Sequence, residues 1–144
     1  MAIKPRLIAY PELCRDCQAC TLACSLYHEG ECNLNLARLR VLKDMESYQF
    51  DIVVCRHCED PDCLKACPNE ALRLNDQGVP AIHREECSQC GACEAACPYN
   101  ALFYDRRTGN YLKCDLCSGR EEGPVCVQVC PVGAITVGNS GVER

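Results

Sequence analysis

Sixteen of the seventeen cysteines in this chain fall into four groups of four, and this arrangement constrains the fold more than any other feature. The first group is Cys14, Cys17, Cys20 and Cys24, and the second is Cys55, Cys58, Cys63 and Cys67. The third is Cys87, Cys90, Cys93 and Cys97, and the fourth is Cys114, Cys117, Cys126 and Cys130. Each opens as Cys-x2-Cys and closes as Cys-x3-Cys, and only the middle gap varies. Cys32 belongs to none of them.

Three cysteines at i, i+3 and i+6 wrap three corners of an iron–sulfur cubane, with backbone amides turned toward the sulfurs. The fourth corner takes its ligand from elsewhere. In two-cluster ferredoxins the last cysteine of each run crosses to the other cluster. Zinc fits poorly, because it prefers two Cys-x2-Cys pairs set apart by a longer spacer. Disulfides need an oxidising compartment and leave one of the 17 cysteines unpaired. The expected cofactors are therefore four [4Fe–4S] clusters, with all sixteen grouped cysteines as iron ligands.

Composition points the same way. The hydrophobic fraction of 48% counts cysteine, and with Trp 0, Phe 2 and Met 2 little is left for an ordinary core. Clusters must supply much of the cross-linking. A net charge of -5 argues against a nucleic-acid partner. The sequence shows no signal peptide, twin-arginine pair or apolar run of membrane-spanning length, so a reduced, cytoplasmic setting is expected.

A second repeat accompanies the first. After three of the quartets the chain reads Cys-Pro-x-x-Ala-apolar, from Cys67 to Leu74, Cys97 to Tyr104 and Cys130 to Val137. The proline stops a short helix carrying the last cysteine, and a short strand follows. Asp76-Gln77-Gly78 and Thr108-Gly109-Asn110 turn these strands back along Val79 to His83 and Tyr111–Leu112. Between Cys32 and Val54, the residues Leu39, Val41, Phe50, Ile52 and Val54 alternate with polar ones, which predicts a hairpin around Lys43 to Ser47. The fold class is thus α+β, with short strands and single-turn helices around four cubanes in two ferredoxin-like modules.

The second and third groups, being neighbours, are expected to form an inner module over 55–104. It is nested inside an outer module of 1–31 plus 105–144, with 32–54 as the connecting hairpin. Together they make one four-cluster unit over 1–144. The expected ligand sets are Cys55, Cys58, Cys63 with Cys97, and Cys87, Cys90, Cys93 with Cys67. In the outer module they are Cys14, Cys17, Cys20 with Cys130, and Cys114, Cys117, Cys126 with Cys24.

The remaining candidates read as supporting residues. Cys32 reads as a bystander thiol, His57 as a polar loop residue beside a cluster, and His28 and His83 have less claim as ligands. Arg15, Arg56 and Lys113 adjoin cluster cysteines; solvated charge is their default reading, and raising a local potential is the sharper one. Gly30, Gly78, Gly91 and Gly109 read as turn positions. No catalytic constellation emerges, so the chain is not expected to be an enzyme on its own.

The full set of quartets resembles the four-cluster ferredoxin-like electron-transfer subunits of dimethyl sulfoxide reductase, formate dehydrogenase and CO dehydrogenase. The resemblance supports the same cluster pairing. Around the first quartet, Ala23-Cys24-Ser25-Leu26-Tyr27-His28-Glu29-Gly30, then Asn33 and Ala37-Arg38-Leu39-Arg40-Val41, look like the small subunit of tungsten-dependent aldehyde oxidoreductases. Small subunits of class II benzoyl-CoA reductases look similar. The resemblance implies a large catalytic subunit with a tungsten- or molybdenum-pterin site, and a flavoprotein or ferredoxin as second electron partner. Some relatives also self-associate into filaments. The alternatives are a free, diffusible polyferredoxin and an iron–sulfur sensor.

Overall fold

The computed structural model describes residues 5–139. In chain order its elements are β1 (Pro5–Ala9), α1 (Ala19–Glu29), β2 (Leu39–Asp44), β3 (Gln49–Val54), α2 (Asp62–Ala66) and β4 (Leu72–Leu74). There follow β5 (Pro80–Ile82), α3 (Ala92–Ala96), β6 (Phe103–Tyr104), β7 (Tyr111–Leu112), α4 (Val125–Val129) and β8 (Ile135–Asn139). Among the described residues the strands pair as four antiparallel ribbons: β1 with β8, β2 with β3, β4 with β5, and β6 with β7. Short strands and short helices of the α+β class are what the sequence predicts.

Local chemistry explains the elements. In the β2–β3 hairpin Leu39 lies opposite Val54 and Val41 opposite Ile52, so the alternation sets the register. The turn at its tip places Tyr48 at φ +55. Helices α2, α3 and α4 have five residues each and stop where proline follows the last cysteine. A proline forces the residue before it out of the helical region. Cys67, Cys97 and Cys130 accordingly sit at ψ 113, 115 and 113, extended, with their side chains leaving the helix.

Two expectations are corrected here. The last cysteine of these quartets ends its helix instead of riding on it. The first quartet also lacks a single-turn helix. Ser25 stands where the others have proline, so α1 runs for 11 residues until Gly30, at φ +77, caps it.

The β1–β8 ribbon, with Leu7 opposite Val137, joins the two ends of the described chain, and α1 packs against α4. Elsewhere α2 packs against α3. The main core interleaves Leu7, Ala37, Leu39, Ile52, Val54, Val79 and Ile135 with Cys14, Cys20, Cys24, Cys55, Cys114 and Cys126. A smaller core holds Cys63, Leu72 and Leu102, against which Cys67, Cys93 and Cys97 pack. Cysteines stand where a protein of this size would otherwise place large aliphatic side chains.

Candidate metal centres

Every quartet opens with the same turn. The residue two after the first cysteine takes a left-handed conformation: Asp16 at φ 56, His57 at φ 50, Gln89 at φ 61 and Leu116 at φ 59. That places its backbone N–H on the first sulfur, at 3.5 Å to Cys14, 3.4 Å to Cys55, 3.4 Å to Cys87 and 3.5 Å to Cys114. None of these residues is glycine, so the conformation costs free energy that the surrounding contacts must offset.

The closing cysteines show a second repeated device. Three residues after each Cys-Pro cysteine the chain is left-handed again, at Glu70, Asn100 and Gly133. The next amide, from Ala71, Ala101 or Ala134, then donates to the sulfur of Cys67, Cys97 or Cys130 at 3.3, 3.5 and 3.3 Å. Cys24 has no proline after it and receives its amide from far along the chain, from Arg38 at 3.3 Å.

The quartets meet as follows. Cys14, Cys17, Cys20 and Cys130 line one cavity, closed by Val41, Ile52, Val132, Ala134 and Ile135. Burial pushes the Cys20 thiol up to about 11, and nearby Cys130, Cys14 and Cys17 push it the same way. Cys126 is pushed up to about 12 by burial and by Cys24, Cys117 and Cys20. Cys114 is raised by burial, then by Cys55, Cys126 and Cys24. Burial raises Cys63, with Cys55 and Cys97 adding to it, and Cys58 answers to the same two neighbours. Cys93 is pushed up to about 11 by burial, with Cys87 and Cys63 close by.

Packing of the elements that carry the groups sets their neighbours. α1 lies against α4 and α2 against α3, which puts the first group beside the fourth and the second beside the third. Lys113, next to Cys114 of the fourth group, reaches Cys55 of the second, so the order runs first, fourth, second, third. Exposure varies along that line: Cys24, Cys114, Cys117 and Cys126 are buried, whereas Cys17 and Cys90 face solvent. Cys32 is exposed.

The charged neighbours divide sharply. Arg15 is exposed and donates to the carbonyls of Leu13 and Cys14, both at 3.1 Å. Arg56 is exposed and lies over the Tyr99 ring, 4.7 Å from its centroid. His83 is exposed. Solvated charge does not describe Lys113, which is 5% exposed and donates from Nζ to Cys55 Sγ at 2.6 Å. A polar loop role does not describe His57 either. It is buried, and burial together with the Lys113 charge pushes its pKa down to about 4, so its imidazole is neutral.

Two further residues matter more than the sequence suggests: His28, given little claim as a ligand, and Arg38, given no role at a cluster. His28 brings Nε2 to 3.6 Å from Cys117 Sγ. Arg38 reaches Asp115 at 3.5 Å and the Lys113 carbonyl at 3.1 Å. Neither lies within a cysteine motif, and only the turn at the end of α1 brings them to the fourth quartet. Gly30, Gly78, Gly91 and Gly109 all have φ between +76 and +80, as turn positions require.

These residues fit iron–sulfur chemistry. All seventeen cysteines are free thiols. Soft sulfur donors are gathered in groups, several of them, such as Cys20, Cys114 and Cys126, where burial disfavours a free thiolate, which suits a cationic centre that compensates thiolate charge. Amides aimed at sulfurs are the hydrogen bonds by which a protein holds such clusters and adjusts their potentials. The 4Fe-4S dicluster domain family matches residues 46–140, spanning the second to fourth quartets.

The chain belongs to that family. A second match, to the 4Fe-4S binding domain, covers residues 11–27 and with them the first quartet. The B subunit of the anaerobic dimethyl sulfoxide reductase of Haemophilus influenzae is 33% identical over 141 residues, covering 86% of this protein and 68% of that one. The thiosulfate reductase electron transfer subunit PhsB of Salmonella typhi is 30% identical over 135 residues, covering 87% and 70%. One longer relative, from Escherichia coli, is 33% identical and contains the match within 21% of its length. The active site complex BamBC of benzoyl coenzyme A reductase superposes with TM-score 0.62 at 27% identity, covering 100% of this protein and 80% of that one. This 4Fe-4S dicluster protein is therefore a ferredoxin-like iron–sulfur protein whose cofactor is the [4Fe–4S] cluster and whose work is electron transfer. Among the described residues no helix is long and apolar enough to cross a membrane.

Proposed function

We propose that the chain is the electron-transfer subunit of an oxidoreductase complex, without catalysis of its own. It relays electrons between a large catalytic subunit and a flavoprotein or ferredoxin. The observation that carries this is the spatial order of the quartets: the first packs on the fourth and the second on the third, and Lys113 beside the fourth reaches Cys55 of the second. Four [4Fe–4S] clusters held in that order form a wire, each accepting and passing one electron at a time. Cys14, Cys17, Cys20 and Cys130 would hold one cluster, and Cys24, Cys114, Cys117 and Cys126 the next. Cys55, Cys58, Cys63 and Cys97 would hold the third, and Cys67, Cys87, Cys90 and Cys93 the fourth.

The nested modules draw support from two features. The β1–β8 ribbon and the α1–α4 contact join the first and fourth groups, while α2 and α3 join the second and third. On this reading 1–31 and 105–144 make the outer module, 32–54 the hairpin and 55–104 the inner module. The chain's own residues do three things in it. The amides aimed at sulfur stabilise thiolate charge, the apolar wall of Val41, Ile52 and Ile135 excludes water, and the exposed thiols Cys17 and Cys90 mark where electrons enter and leave.

The catalytic partner is a tungsten–pterin subunit of the aldehyde-oxidoreductase or benzoyl-CoA-reductase type. The likeness to BamBC along the whole chain supports this branch, as does the segment from Ala23 to Val41. The test is anaerobic elemental analysis of the native, untagged complex. About sixteen iron atoms per copy of this chain, four per cubane, together with tungsten in a co-purifying large subunit, are the expected result. Molybdenum or nickel in place of tungsten would move the partner to the sulfoxide-reductase, formate or CO-dehydrogenase type. A chain that purifies alone with all its iron would be a diffusible polyferredoxin.

A further inference from the structure

We infer that Lys113 raises the potential of the cluster on Cys55, Cys58, Cys63 and Cys97. The inference rests on the ligand sets proposed above. Lys113 follows β7 and immediately precedes Cys114 of the fourth quartet, yet its side chain crosses to the second. Its Nζ donates to Cys55 Sγ at 2.6 Å, between residues 58 apart in sequence. A buried ammonium is expensive unless an anion faces it, and here the facing atom is a cysteine sulfur. Arg38 fixes the backbone beneath it by donating to the Lys113 carbonyl at 3.1 Å.

Each one-electron reduction adds one negative charge to a cluster and its thiolates, and a fixed ammonium on one of those sulfurs stabilises the added charge. Hydrogen bonds to sulfur and local net charge both raise cluster potentials, whereas water screens them. The other cations beside ligand positions differ from it: Arg15 and Arg56 are exposed, one engaged with carbonyls and the other with a tyrosine ring, and the half-buried Arg38 guanidinium is paired with the carboxylates of Asp115 and Glu29. Lys113 combines burial, direct contact with a sulfur and a place between two quartets.

The experiment is a potentiometric titration followed by EPR on the full chain in its native complex, with iron counted on each sample. The variants are Lys113→Met, Lys113→Gln and Lys113→Arg. In Lys113→Met one of the four midpoint potentials falls, by more than any other moves, while Lys113→Arg keeps most of the native value. The signal that moves is the one altered in Cys55→Ser. Lys113→Gln is a neutral donor and gives a smaller fall, which serves as the measurement if the methionine variant does not assemble. All four potentials unchanged in a neutral variant with native iron content would overturn the inference and leave the ligand sets standing. A shift in Lys113→Met confined to a signal unaffected by Cys55→Ser would overturn it as well. Native protein with iron for fewer than four clusters would instead overturn the ligand sets themselves.

Discussion

The third and fourth quartets make a controlled comparison, because the same opening turn is placed in two different surroundings. Gln89 donates to Cys87 Sγ at 3.4 Å and Leu116 to Cys114 Sγ at 3.5 Å, each from a left-handed residue. Around the fourth quartet, α1, α4 and the start of β2 close over the sulfurs, and Cys24, Cys114, Cys117 and Cys126 are all buried. Around the third, Cys90 is exposed, Cys87, Cys93 and Cys67 are half-buried, and the packing comes from the small cluster of Leu72 and Leu102. The motif dictates how a sulfur is held by its own loop. How dry and how rigid the site becomes depends on what packs over that loop.

The largest effect should separate these two sites by substitution. Cys114→Ala removes a buried sulfur from the middle of the main core, where cavity formation adds to the lost ligand. It is expected to lose more iron than one cluster contains and to lower the melting temperature steeply. Cys90→Ala removes an exposed thiol, and should cost one cluster at most, leaving about twelve of about sixteen iron atoms and the rest of the fold. Iron analysis and thermal unfolding under anaerobic conditions read both outcomes. Equal losses in the two variants would mean that the clusters form as a single cooperative unit, whatever their burial.

A smaller, kinetic difference follows for the intact protein. An iron chelator reaches a cluster by way of exposed ligands, so iron should leave in two phases, first from the sites that include Cys90 and Cys17 and later from the two that hold no exposed cysteine. The absorbance of the ferrous chelate over time gives both phases. Removing one exposed site by Cys90→Ala should reduce the amplitude of the fast phase and leave the slow one alone. A single phase, or an effect of Cys90→Ala on the slow phase, would break the comparison.

The reach of the sequence can be judged on the same two sites. The cysteine spacing marks all four quartets, and the Cys-Pro-x-x-Ala repeat marks β4, β6 and β8, because helix arrest by proline and the following turn are local events. The β2–β3 hairpin is legible for the same reason. The length of α1 is not read there, although Ser25 stands where the other quartets carry the proline that stops their helices. The left-handed conformation of Leu116 is not legible, since leucine rarely adopts it and the amide it aims at the Cys114 sulfur offsets its cost. Nor is the environment of Lys113. Its contact with Cys55 spans 58 residues and depends on how β7 docks against the second quartet, which no local pattern encodes. His28 and Arg38 are hidden in the same way: their motif-free segment meets the fourth quartet only in three dimensions.

The smallest expected effect tests whether the exposed site leans on the buried one. Gly91 follows Cys90 at φ +80, and a Cβ there would sit 3.0 Å from the Tyr111 hydroxyl oxygen. Tyr111 belongs to β7, the strand that leads into Lys113 and Cys114, and its ring also meets Tyr104 at 5.1 Å. Gly119, at φ +93 beyond Cys117, has nothing within 4 Å of the same added atom. An alanine at either position carries the left-handed penalty of about 1–2 kcal/mol, and Gln18, at φ 61 in the corresponding place after Cys17, shows that a side chain is tolerated there. Only Gly91→Ala must also displace the buried Tyr111, whose hydroxyl is hydrogen-bonded to Glu94, and the extra cost should be about 1 kcal/mol. Denaturant midpoints of the two variants measure the difference. A clear excess for Gly91→Ala means that the third quartet's turn is braced by the strand feeding the fourth, so that the solvent-facing end of the wire borrows part of its rigidity from the buried middle. Equal costs would mean that the exposed end is held by its own loop alone.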